Sequence, residues 1–140
     1  MPDRAELKPR GRGIKVIVSM IGFDSHTTGA EVVSTLLRDS GFEVVYLGVN
    51  QSPAMIVRAA IEEDVDAIGV SVHASNYSLI EELMDLVKKN GLADLPVVCG
   101  GNVPPQQIAQ LTQWGVAKVF LPGASGESIV EYFAGLGRRA

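Results

Sequence analysis

The sequence predicts an α/β fold, a five-stranded parallel sheet with helices on both faces. Three observations predict it. From Ile14 onward, apolar strand-like runs alternate with amphipathic helix-like stretches. The strand runs are apolar throughout rather than alternating, as strands covered on both faces must be. Each strand is followed by a polar or glycine-rich turn that opens the next helical stretch.

Taken in order, Ile14 to Met20 is a β-branched run and forms the first strand. Ala30 to Asp39 carries Val33, Leu36 and Leu37 at helical spacing and is stopped by Gly41. Phe42 to Leu47 is the second strand. Ser52 then caps a helix whose first position is Pro53, with Ile56, Ala59 and Ala60 as its buried stripe. Ala67 to Val72 is the third strand. Ile80, Leu83, Met84 and Val87 stand at i, i+3, i+4 and i+7, and Lys88, Lys89 and Gly91 end that helix favourably for its dipole. Leu95 to Cys99, Pro105 to Gln113, Ala117 to Leu121 and Ser125 to Leu136 complete the alternation, the last helix turning Ile129, Val130 and Phe133 inward. Right-handed crossovers leave few topologies, and the flavodoxin-like (Rossmann-like) strand order 2-1-3-4-5 is the one expected.

Met1 to Gly13 contains Arg4, Lys8, Arg10 and Arg12 with few apolar residues, and reads as a flexible N-terminal tail. Residues 14–140 then form one domain, which 140 residues are enough to give a real core. A net charge of −4 argues against nucleic acid as a partner, since phosphate binding needs a basic face. No run approaches a membrane span and the polar start lacks the apolar stretch of a signal peptide. The single cysteine, Cys99, allows no internal disulfide and fits a reducing cytoplasm; its place in an apolar strand reads as a buried structural thiol.

In sheets of this order ligands sit beyond the carboxyl ends of the strands. Asp24 and His26 follow the first strand, Ser71 and His73 end the third, Gly100-Gly101-Asn102 follow the fourth, and Pro122-Gly123 the fifth. A carboxylate two residues before a histidine can fix one imidazole tautomer while the other ring nitrogen faces a metal. The same Asp-x-His also occurs as a solvated turn. Gly100-Gly101 suits either a close ligand or a tight turn. Ser71 reads as a ligand donor or a helix-proximal hydroxyl, and His73 as a second functional imidazole or a satisfied strand end.

Asp24-x-His26-x-x-Gly29, a serine ending the third strand, and Gly100-Gly101 together resemble the cobalamin-binding domain of base-off, histidine-on enzymes. The nearest types are small subunits or C-terminal domains of acyl-CoA mutases such as methylmalonyl-CoA and 2-hydroxyisobutyryl-CoA mutase; the small subunit of glutamate mutase is more distant. The resemblance runs from Ile14 to the C-terminus. It implies that His26 is the lower axial ligand of cobalt and that Asp24 bonds its other ring nitrogen. It implies that Gly29 lets the following helix sit close to the displaced nucleotide tail, with Ser25, Thr27 and Thr28 in the same cofactor loop. Ser71, Gly100 and Gly101 would line the tail pocket, and Pro122-Gly123 matches the family's strand-five turn. One departure stands out: the family's Ser-x-Leu reads Ser71-Val72-His73 here, placing an imidazole where leucine packs against the tail.

The reaction so implied is the carbon-skeleton isomerisation of an acyl-CoA with adenosylcobalamin, by a radical route. A substrate barrel takes about 250 residues, so acyl-CoA would be held by a large catalytic subunit as partner, without which this subunit is inactive. Two alternatives share the fold. A corrinoid methyl carrier or cobalamin sensor binds the same cofactor, although methyl carriers usually have a helical domain before the binding domain. A flavin (FMN) electron carrier would use Ser25, Thr27, Thr28 and Gly29 as a phosphate loop, but Asp24 opposes phosphate there. A receiver-like signalling domain is poorer still, because the third strand ends in Ser71 rather than an acceptor aspartate.

Overall fold

The computed structural model describes residues 10–22, 27–73 and 76–137. Ten elements alternate along them: β1 (Lys15–Ser19), α1 (Thr28–Asp39), β2 (Glu43–Gly48), α2 (Pro53–Glu63), β3 (Ala67–Ser71), α3 (Tyr77–Lys89), β4 (Val97–Gly100), α4 (Pro105–Gln113), β5 (Lys118–Phe120) and α5 (Gly126–Leu136). The strands form one parallel sheet in the expected order β2-β1-β3-β4-β5.

The pleat explains why the strands are apolar throughout. Along β1, Ile17 joins one core while Val16 and Val18 join the other. Ile17, Ile68, Val70, Val97 and Cys99 pack against Ile56 of α2, Leu83 of α3 and Leu111 of α4. Val16, Val18, Ala67 and Val98 pack against Leu37 of α1 and Val130 and Phe133 of α5. Burial pushes the Cys99 thiol up to about 12, so it is a packing group and not a nucleophile at neutral pH.

Several strand ends fall inside the expected spans. Ile14 and Met20 are buried one residue beyond either end of β1, each held to β2 by a single backbone bond, Glu43 N–H to Ile14 O at 3.0 Å and Met20 N–H to Gly48 O at 3.2 Å, and buried Leu95 precedes β4. The Ser52 cap stands as read, its Oγ accepting from the Met55 N–H at 3.1 Å; Ser125 Oγ likewise accepts from the Ser128 N–H at 3.1 Å and caps α5, whose expected span starts at Ser125 itself. α1 begins at Thr28, two residues ahead of the expected Ala30.

The expected flexible tail needs correction at its inner end. The Gly11 N–H donates to Ser40 O at 2.9 Å, and Gly11 lies against the Phe42 ring, where a Cβ would collide with Cδ2. The Arg10 guanidinium pairs with Glu127 at 2.9 Å. Packing therefore starts by Arg10 and not at Ile14, because Phe42 offers an aromatic face that only a residue without a side chain can approach so closely. Residues 1–9 of the expected tail lie outside the described residues.

Candidate functional site at the carboxyl edge of the sheet

The sheet register assembles half of the expected site. Ser71 pairs with Gly100 across β3 and β4. The Val72 N–H donates to Gly100 O at 2.9 Å, and the Gly101 N–H to Phe120 O at 3.0 Å. Ser71, Gly100, Gly101 and the turn through Pro122 and Gly123 thus lie side by side along one edge. The glycine pair divides the two uses the residues left open. Gly101 has φ +152, and a Cβ there would collide with Val72 O, so glycine is demanded by the chain's own backbone. At Gly100 a Cβ would meet only Phe120 O at 3.9 Å, which leaves that position open to a ligand.

On the other side of the edge, β1 runs through buried Met20 and Ile21 to Gly22, whose N–H donates to Gln51 O at 2.7 Å. Gly22 has φ +70, and a Cβ there would lie 2.6 Å from Leu79 Cδ1. Asp24, Ser25 and His26 lie outside the described residues. The chain is described again at Thr27, the N-cap of α1, whose side chain makes no capping bond. Thr28 and Gly29 are exposed, and a Cβ on Gly29 would find nothing within 4 Å.

The turn after β3 contains a residue the sequence reading missed. Asn76 is only 4% exposed. Its Oδ1 accepts from the His73 N–H at 2.8 Å, its own N–H donates to His73 O at 3.0 Å, and its Nδ2 faces Ile21 O at 3.5 Å. An asparagine directly before a helical stretch reads as a cap, yet this side chain caps no N–H of α3. His73 is half-buried at the strand end, and its backbone is fixed by Asn76. Tyr77, the first residue of α3, packs against the core, and its hydroxyl is buried with no hydrogen-bond partner among the described residues.

These features fit a bulky cofactor approaching backbone at several points. A Cβ placed on Gly29 or Gly123 would have no atom within 4 Å, and one on Gly100 would have a single carbonyl at 3.9 Å. Among the described residues no three His, Cys, Asp or Glu side chains gather to hold a metal ion. A macrocycle that brings its own equatorial donors needs only one protein ligand. A surface cavity of about 460 Å³ lies instead at the opposite edge, lined by Lys15, Glu43, Glu63, Asp64 and Asp66 among others. Its lysine is already bound to Glu43 and Glu63. Among the described residues no helix is long and apolar enough to cross a membrane.

The family model for the B12 binding domain matches residues 14–131. The chain is 40% identical over 129 residues to the pivalyl-CoA mutase small subunit of Xanthobacter autotrophicus, covering 92% of this chain and 87% of that one. It is 34% identical over 119 residues to the 2-hydroxyisobutanoyl-CoA mutase small subunit of Aquincola tertiaricarbonis, covering 84% and 88% respectively. In fold it resembles a cobalamin-binding protein from Desulfitobacterium hafniense, with a TM-score of 0.74 at 24% identity over 87% of this chain and 59% of that one. With a family match across most of the chain, and this fold, the protein belongs to the B12-binding domain family, on the side of the acyl-CoA mutase small subunits.

Proposed function

We propose that this acyl-CoA mutase small subunit binds adenosylcobalamin base-off, with His26 as the lower axial ligand of cobalt. The bound cofactor supplies the radical chemistry of a carbon-skeleton isomerisation. The chain's own residues bind it, orient it and keep water from it. Asp24 accepts from the second imidazole nitrogen of His26, which fixes the tautomer and makes the ligating nitrogen more basic. Ser25, Thr27, Thr28 and Gly29 flank the displaced nucleotide tail. Ser71, His73, Gly100 and the turn at Pro122-Gly123 form the tail pocket, and Gly101 shapes its backbone. His73 stands where related pockets have leucine and gives this one a polar wall.

One observation carries the reading. Asp24-x-His26-x-x-Gly29 follows β1 at the edge where Gly29, Gly100 and Gly123 leave space beside the backbone. The acyl-CoA is held by a large catalytic subunit, and activity needs both chains. The name "small subunit" borne by the two relatives supports such a partner. A cytoplasmic location, in keeping with one buried free thiol, belongs to the same proposal.

The test is electron paramagnetic resonance of the cob(II)alamin complex, with nitrogen-15 in the protein's histidines. The superhyperfine splitting should change with the label and vanish in His26→Ala. A splitting that ignores the label means the cofactor's own base is the ligand, and the assignment fails.

A further inference from the structure

We infer that Asn76 is a positioning residue that locks the turn after β3 to the end of β1, and so sets where His26 stands. The inference rests on the proposed role of His26 and concerns a residue outside the motifs that suggested it.

The geometry points to a clasp. Oδ1 of Asn76 accepts from the His73 N–H at 2.8 Å, which fixes the amide's orientation, because only the oxygen can accept. The NH2 group is thereby turned to Ile21 O, at 3.5 Å and 55 residues away in sequence. The side chain is 4% exposed and Ile21 0%, so water has little access to replace either contact. A buried amide is costly unless both of its ends are used. Here one end holds the turn that carries His73 and the other holds the strand end that leads to Asp24 and His26.

A second tie pins the same strand end from the opposite side. The Gly22 N–H donates to Gln51 O at 2.7 Å, which joins the chain after β1 to the chain after β2. The stem of the His26 loop is therefore held by consecutive residues, Ile21 through its carbonyl and Gly22 through its N–H. The two ties are not equivalent. The Gln51 tie is backbone to backbone and tolerates many side chains, whereas the Asn76 tie needs an acceptor and a donor on one short planar group. Ala cannot supply it. Asp supplies the acceptor without the donor.

The decisive measurement is hydroxocobalamin titration of the full chain as wild type, Asn76→Asp, His26→Ala and the double variant, with the labelled spectrum of each cob(II)alamin complex. Asn76→Asp keeps the acceptor for the His73 N–H and loses the donor to Ile21 O. It should weaken binding about tenfold and lower the fraction of protein-ligated cobalt, as loss of an outer-sphere partner does. In the His26→Ala background the same change should cost less than about twofold, because there is no axial nitrogen left to position. Equal losses in both backgrounds, or no loss in either, would overturn the inference while the wild-type label effect still stands. A wild-type spectrum without the label effect removes the His26 assignment itself, and the inference with it. If Asn76→Asp does not fold, Asn76→Ser is read by the same criteria, since its Oγ can accept from the His73 N–H but does not reach Ile21.

Discussion

At the amino-terminal edge of the sheet, Lys15 Nζ lies 3.0 Å from Glu43 and 2.9 Å from Glu63, and the Lys15 N–H donates to Asp66 Oδ2 at 2.8 Å. At the carboxyl edge the polar partners are mostly backbone, and Gly29, Gly100 and Gly123 stand open. The first edge answers its own charges, so its cavity of about 460 Å³ offers a ligand little that is unspent. The second edge satisfies its backbone while leaving side-chain space empty, which is what a large cofactor needs. Hollowness alone points to the amino-terminal edge. Capacity for new contacts points to the carboxyl edge, where the proposed cofactor site lies.

Four measurements put that contrast at risk. The largest effect is expected at Gly101, where the backbone itself occupies the space a methyl would need. Gly101→Ala should destabilise the fold by about 3 kcal/mol in urea unfolding, from strained φ and the clash with Val72 O. Gly123→Ala, at φ +93 but in open space, should cost only about 1 kcal/mol. Equal costs at the two positions would mean that the glycine pair is not pinned by the chain.

Gly29→Ala should separate stability from binding. With nothing near its Cβ, in the first turn of α1, the apo protein should gain up to about 0.5 kcal/mol from helix propensity. Cobalamin should bind about tenfold more weakly, because the methyl fills space the tail requires. Unchanged affinity would place the tail elsewhere.

Between the edges, Cys99 gives the sheet a pH dependence that neither end supplies. The unfolded thiol ionises near 9.0 while the folded one stays protonated up to about 12. Between those values the folded state holds more protons than the unfolded one, so this contribution is level below about pH 9 and stability falls as pH rises above it, by roughly 1 kcal/mol at about pH 10. Cys99→Ala should lower stability at neutral pH and flatten that slope. A slope unchanged in the variant assigns it to other groups.

The smallest effect is expected from Lys15→Met. The ion pairs with Glu63 and Glu43 raise the Lys15 pKa and are exposed enough for salt to screen them. Melting should drop slightly at low salt and converge with wild type at high salt, with cobalamin affinity unchanged. A change in affinity would show that the two edges are coupled through β1.

Much of the fold was legible because it is written in short-range terms. Ser52-Pro53 starts a helix by local chemistry, and Ile80, Leu83, Met84 and Val87 define a buried stripe whatever covers it. The strand ends were less legible, since the apolar run reaches one residue past each end of β1 and buried Leu95 lies ahead of β4. Gly11 on Phe42 was invisible, because a residue with no side chain announces no contact. Asn76 was read past for a related reason: the value of its donor depends on Ile21 standing opposite, 55 residues upstream. The proposal for His26 rests on its motif, a pattern of residue types, and not on any distance.

Residue order alone dictated the alternation of elements, the two-sided burial of the strands and the placing of Ser71 and Gly100 at strand ends. Periodicity and turn chemistry act over a few residues, so one dimension suffices for them. Which glycine is pinned and which is open, and which asparagine ties two turns together, came from the folded chain. Steric exclusion and hydrogen bonding act over ångströms, between Gly101 and Val72 or Asn76 and Ile21, and the register of a folded sheet is what brings such pairs within reach.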